Sequence, residues 1–206
     1  MRGTALSSGI SNKTSKLGRR VYSFSLPRVT TCPGMSKWCE KNCYMAKLER
    51  LYKTMLASYQ ANLENATVHA EALGDEIVAD LAKKKNVKAV RIHVDGDFFS
   101  APYIRMWISI AERSPDTRFY AYTRAWTVKR LRKALDDLSA LPNFTLWASV
   151  DDTMPSPPEA WRAAWIEGDD RARGPVCPEQ VGKVDSCTNC GLCFKTKLAN
   201  ITFRVH

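Results

Sequence analysis

Between residues 88 and 150 the chain alternates short β-branched and aromatic runs with runs of helical period, and this alternation limits the fold more than any other feature. Residues 88–94 read as a strand. Ser100 is placed to cap a helix, Pro102 suits its first turn, and Tyr103, Trp107 and Ile110 fall on one stripe before Pro115 ends it. Residues 118–123 read as a second strand. Thr127 is the expected cap of a helix bearing Val128, Leu131, Leu135 and Leu138, and 144–150 is a third strand. Strands and helices joined by short connections predict βαβ units and a parallel sheet. Upstream, residues 21–26 form a short strand stopped by Pro27. Two helices follow: 44–65, with Leu48, Tyr52, Met55, Tyr59 and Leu63 on a stripe, and 66–85, with Leu73, Ile77 and Leu81. Downstream, 151–175 is rich in prolines and charges, with a short helix expected around 159–166. The organisation read from this is an arm (1–20), a βα unit (21–153), and a linker with a cysteine-rich tail (154–206).

The seven cysteines fall in two groups. The tail reads Cys177-x9-Cys187-x2-Cys190-x2-Cys193. A Cys-x2-Cys-x2-Cys run can wrap a compact centre, and Cys177, followed by Pro178, is the natural remote ligand, as in ferredoxin runs. Four cysteines also suit structural zinc, although zinc sites usually come as two separated pairs. The front group, Cys32-x6-Cys39-x3-Cys43, is one short of a closed set, which leaves one position open for a substrate or cofactor. Alternatively a tail cysteine completes the front site. A disulfide framework is the poorer reading, because nothing at the N-terminus resembles a secretory signal and clustered cysteines in a reducing compartment are ligands or catalysts. No apolar run is long enough to span a membrane, so the expectation is a cytoplasmic protein without a membrane partner.

The formal net charge is +10, and it is uneven: Arg2, Lys13, Lys16, Arg19, Arg20, Arg28 and Lys37 all precede the first acidic residue, Glu40. The Ser-, Thr- and Gly-rich opening is expected to be loosely ordered. Such an arm suits phosphates of a nucleic acid or a host protein, and equally serves as a solubilising tail. No histidine–acid–nucleophile arrangement and no phosphate-cradling glycine loop is present. His93 reads as a core histidine.

The order strand, three-cysteine loop, helix, then a strand ending in Asp95-Gly96-Asp97 resembles the core of radical S-adenosylmethionine (radical SAM) enzymes. More specifically, Thr31-Cys32-Pro33-Gly34, Cys43-Tyr44, residues 93–100 (HVDGDFFS), residues 121–124 (AYTR) and residues 176–180 (VCPEQ) resemble a family of phage and actinobacterial gene products related to radical SAM proteins. The resemblance runs from about residue 20 onward. It implies an α/β fold, a shortened partial (βα) barrel of about four parallel strands with a cysteine-rich, metal-binding C-terminal tail. It also implies one or two [4Fe–4S] clusters, on Cys32, Cys39 and Cys43 and on Cys177, Cys187, Cys190 and Cys193. S-adenosylmethionine would sit on the open iron near Gly96 and Asp97. The loop departs from the common Cys-x3-Cys-x2-Cys spacing.

Around the front group the strand ends are expected to gather Asp95, Asp97, Tyr122, Arg124, Ser149 and Asp151. Gly96, Asp97, Arg124 and Ser149 are the candidate cofactor contacts, with Asp97 and Arg124 opposed as anchors for an ammonium and a carboxylate. The bland alternative is a buried ion pair. The functional expectation is an iron–sulfur protein, a radical SAM enzyme needing an electron donor, working in the host cytoplasm if phage-encoded. The rival is a non-enzymatic iron–sulfur protein that binds nucleic acid or a host protein through its basic surface.

Overall fold

A computed structural model describes residues 7–12, 15–195 and 199–205. Its frame is one six-stranded sheet: β1 (Val21–Phe24), β2 (Ala89–Ile92), β3 (Phe119–Thr123), β4 (Phe144–Val150), β5 (Arg162–Ile166) and β6 (Asn200–Phe203). Every neighbouring pair is parallel, and the spatial order is the chain order. The helices are α1 (Lys37–Asn42), α2 (Met45–Leu51), α3 (Lys53–Val68) and α4 (Ala70–Lys83) between β1 and β2, then α5 (Ala101–Arg113) and α6 (Lys129–Ser139). Two short helices, α7 (Cys187–Cys190) and α8 (Leu192–Lys195), precede β6.

Parallel strands buried on both faces need apolar residues at both parities, and β3 shows it. Phe119 and Ala121 join the core under α4, α5 and α6, with Phe24, Ile92, Trp107, Ile110, Leu131 and Leu135. Tyr120 and Tyr122 point to the opposite, inner face. There they meet Phe194 of α8, Trp147 of β4 and Ile201 of β6, so the cysteine-rich tail covers the face that the helices leave open.

The helices α5 and α6 follow the apolar periodicity. Ser100 caps α5, its hydroxyl accepting from the Tyr103 amide at 3.3 Å. Thr127 does not cap α6; it lies in a 3-10 turn, Ala125–Thr127, and Val128 holds the cap position without a side-chain bond. The long helix expected over 44–65 is broken at Tyr52 and the next begins only after His69, because both residues leave helical geometry. Tyr52 is exposed, and α3 buries only Asn62 and Ala66.

Two further expectations are corrected. Residues 159–166 do not form a helix: Arg162–Ile166 is a strand, paired with β4 and β6. The sheet has six strands rather than about four, the last two supplied by the segment read as linker and tail. Of the N-terminal arm, residues 1–6, 13 and 14 lie outside the described residues. In the rest, Leu17 is buried, Ser11 bridges Ser23 beside β1, and the Ser8 hydroxyl donates to Asp80 at 2.6 Å.

Candidate metal and cofactor site

In a parallel sheet all C-terminal strand ends share one edge, and the chain beyond β1 to β4 builds the front site there. The loop after β1 turns at Val29, whose φ of 66° is rare for a β-branched residue. The Cys32 amide donates to the Val29 carbonyl at 3.0 Å. Ser36 caps α1: its hydroxyl accepts from the Cys39 amide at 3.0 Å and donates to Asp151 at 2.6 Å. Cys43 ends α1. Gly34 docks against the backbone carbonyl of Arg124, a space that a Cβ would fill.

Asp97 is the hub of this edge. One oxygen accepts from the Thr123 hydroxyl (2.6 Å) and the Phe98 amide (2.7 Å), the other from the amides of Arg124 (2.8 Å) and Ala125 (3.2 Å). Burial pushes its carboxyl up to about 6, against the pull of these donors. The partner of the Arg124 guanidinium is Asp151, not Asp97; it also touches the Met154 sulfur and lies 5.9 Å from the centre of the Trp38 ring. Burial alone would raise Asp151, but the hydroxyls of Ser36 and Thr153 and the charge of Arg124 bring it below the ordinary carboxylate value. Gly96, at φ 82°, packs against Leu26 and Thr31. Ser149 lies in register with Ala164, and its carbonyl accepts from the Trp126 indole at 3.1 Å.

Of the expected cofactor contacts, Asp97 and Arg124 thus clamp strand ends together. Asp95 adjoins Glu49, which accepts from the backbone and side chain of Arg28, both at 3.1 Å. Burial and the Glu49 carboxylate beside it push the Asp95 carboxyl well above the ordinary carboxylate range. Burial and the negative charge of Asp97 raise the Cys32 thiol far above its ordinary value; burial raises Cys39, which Arg124 opposes. His93 is a core residue: its Nε2 lies 2.9 Å from the Tyr103 hydroxyl, and burial holds it down to about 3.

The tail group lies elsewhere, on the inner face. The Cys177 amide donates to the Thr202 carbonyl at 2.8 Å, fixing the remote cysteine beside β6. α7 spans Cys187 to Cys190, and Gly191 at φ 73° turns the chain into α8. All four tail cysteines line one small cavity, with Pro178, Glu179, Phe194 and Ile201 at its walls. The Trp147 indole donates to the Cys193 carbonyl at 3.1 Å, and the Thr188 hydroxyl to the Leu17 carbonyl at 2.9 Å. Burial, aided by mutual repulsion of the thiols, pushes Cys187 up to about 11 and Cys193 up to about 12. Thiols gathered in this way suit a cation, which relieves the repulsion and favours the thiolates. Among the described residues, however, no group of three or more His, Cys, Asp or Glu has its donor atoms placed to hold a metal ion.

Sequence reasoning reached the cysteines, the Asp97 edge and Arg124, but missed Ser36, Trp38 and Glu49. The only available signal was the helix-cap pattern at Ser36, three residues before Cys39.

Fold and site define an all-parallel α/β protein with three cysteines at the strand-end edge and four on the inner face. The sequence matches the model of the gene product 88 family over residues 4–196, and the chain belongs to that family. It is 31% identical to the gene 88 protein of Mycobacterium phage D29 over 197 residues, covering 80% of this chain and 78% of that one. Identity to the gene 88 protein of Mycobacterium phage L5 is 30% over 201 residues, 84% of this chain and 81% of the other. No solved structure matches. No helix among the described residues is long and apolar enough to cross a membrane.

Proposed function

We propose that this chain is an iron–sulfur protein of radical-SAM-like architecture, with a [4Fe–4S] cluster on Cys177, Cys187, Cys190 and Cys193 and a second on Cys32, Cys39 and Cys43. The observation that carries this reading is the convergence of all four tail cysteines on one cavity, although Cys177 is remote in sequence and anchored to a different strand. A second support is the sequential order of the parallel strands, the winding found in βα barrels, whose chemistry sits at the C-terminal strand ends where the front cysteines lie.

With three thiols the front set leaves one iron open, and S-adenosylmethionine is the narrower proposal for that position. When bound and reduced, that pair supplies a carbon radical able to abstract hydrogen. The chain's own part is positional: Ser36 and Asp151 hold the Cys39 helix against β4, while Asp97 and Arg124 tie the ends of β2, β3 and β4 together. Because Asp97 and Arg124 already have partners, polar contact with a ligand falls more to Ser149 and to the backbone around Gly96. The acid-free basic N-terminus favours the second reading, a non-enzymatic cluster protein that binds nucleic acid or a host protein. Either activity would take place in the cytoplasm, that of the host cell if the chain is phage-encoded.

Anaerobic purification with an absorption spectrum and iron, sulfide and zinc analysis tests the proposal. About eight irons per chain support both clusters and about four support one. Zinc in a colourless protein overturns the iron–sulfur reading. If iron is present, titration of the reduced protein with S-adenosylmethionine decides the narrower proposal, and no binding removes it.

A further inference from the structure

Among the described residues, no carboxylate closes an ion pair with Arg91. It lies half-buried on the inner face of β2, in register with Tyr120, with its guanidinium carbon 5.3 Å from the centre of the Tyr122 ring. Its Nε donates to the His93 carbonyl at 3.3 Å. Among the described residues it enters none of the ion pairs that close within 4.0 Å. The ionisable groups around it include Tyr44, Tyr120, Tyr122, Cys187, Cys193 and His93. Phenols, thiols and a core imidazole supply no negative charge near neutral pH, and none of these groups is a carboxylate. The Tyr120 hydroxyl is buried beside Cys187. A guanidinium held among neutral groups lacks the counter-charge that partial burial normally demands.

The inner face offers one source of such a charge. Four thiolates around a zinc ion or a cubane leave the whole centre net negative. Cys187 and Cys193 pack in the same cluster as Val21, Tyr120 and Tyr122, on the face that carries Arg91. We propose that Arg91 is the counter-ion of an anionic metal–thiolate centre on Cys177, Cys187, Cys190 and Cys193, a positioning residue and not a ligand. The inference rests on the tail's holding metal, but not on which metal it holds.

The test compares the full chain with Arg91→Gln, which removes the charge, and Arg91→Lys, which keeps it. With iron, the readout is an anaerobic redox titration followed by paramagnetic resonance, the tail signal being the one that Cys187→Ser abolishes. Losing a positive neighbour makes reduction harder. Arg91→Gln is expected to lower the reduced-to-oxidised ratio of the tail at a fixed potential by about tenfold, about 59 mV for a one-electron couple. Arg91→Lys is expected to stay near the parent. With zinc, chelator competition is expected to show about tenfold weaker retention in Arg91→Gln alone. An unchanged potential and unchanged zinc retention in Arg91→Gln would overturn the inference. If Arg91→Gln does not fold by circular dichroism, a tenfold shift in the charge-preserving Arg91→Lys does the same. Metal analysis of the parent chain reports separately on the tail: if neither metal binds there, that reading and this inference both fall.

Discussion

The two cysteine groups are held by opposite physical means. The front group is embedded in a polar lattice. Ser36, Asp97, Arg124 and Asp151 exchange hydrogen bonds across the ends of β2, β3 and β4, and the three thiols ride on a loop and one short helix fixed to that lattice. The tail group has little regular structure of its own. α7 and α8 are four residues each, and their position comes from Phe194 in an aromatic pocket, an indole bond to Cys193 and the β6 ladder. The front site is therefore built to keep its shape whatever it binds. The tail, with four thiols around one cavity, is the part of the fold whose stability depends most on what fills it.

The largest expected effect separates the groups directly. On the proposed reading that the tail holds a metal, the Cys187→Ser, Cys193→Ser chain should lose it and become protease-sensitive after about residue 175, while Cys39→Ser should leave the tail protected. Limited proteolysis with metal analysis checks both, and equal sensitivity of the two variants would break the comparison. Next comes Arg124→Met, which leaves Asp151 buried with only hydroxyl and amide partners. Removing one member of a buried pair costs about 3–5 kcal/mol, seen as a lower urea midpoint, with tail metal content unchanged.

Asp97→Asn should cost about 2–3 kcal/mol, because an amide nitrogen cannot accept from the amide and hydroxyl donors that meet that oxygen. The same denaturation series measures it, and a loss under 0.5 kcal/mol would show that the strand-end lattice does not depend on the carboxylate.

The smallest effect concerns pH. His93 titrates at about 3 when folded, held down by burial and by Arg91, against 6.5 for the free side chain. Between those values the unfolded chain binds the extra proton, so the His93 contribution is intact above pH 6.5 and lost progressively as pH falls toward 3. Asp95 and Asp97, raised by burial, act in the opposite direction. They are common to both chains, so the stability difference between the parent and His93→Gln should shrink steadily from pH 6.5 to 4. A pH-independent difference would assign His93 a packing role only.

Much of the sheet was legible because its signals are local. Ser100 and Pro102 announce α5, and Leu131, Leu135 and Leu138 announce the buried face of α6. Residues 162–166 misled because Trp161 and Trp165, spaced by four, imitate a helical stripe; the strand exists through its ladders to β4 and β6. The protein partners of Asp97, Thr123 and the amides of Arg124 and Ala125, were not legible because they lie more than twenty residues away. Arg124 and Asp97 were read as opposed anchors for a ligand or as an ion pair; the ion pair that Arg124 forms is with Asp151.

By itself the sequence determined the parallel α/β class, the two cysteine groups, and the placing of the front group at a strand end, since these follow from periodicity and spacing. Only the tertiary structure decided that the tail folds back over the inner face, that β5 and β6 complete the sheet, and that Arg91 lies on that same face, over the Tyr122 ring. Those arrangements are set by pairing and burial between residues far apart in the chain, and no local pattern encodes which distant strand or side chain will answer a given charge.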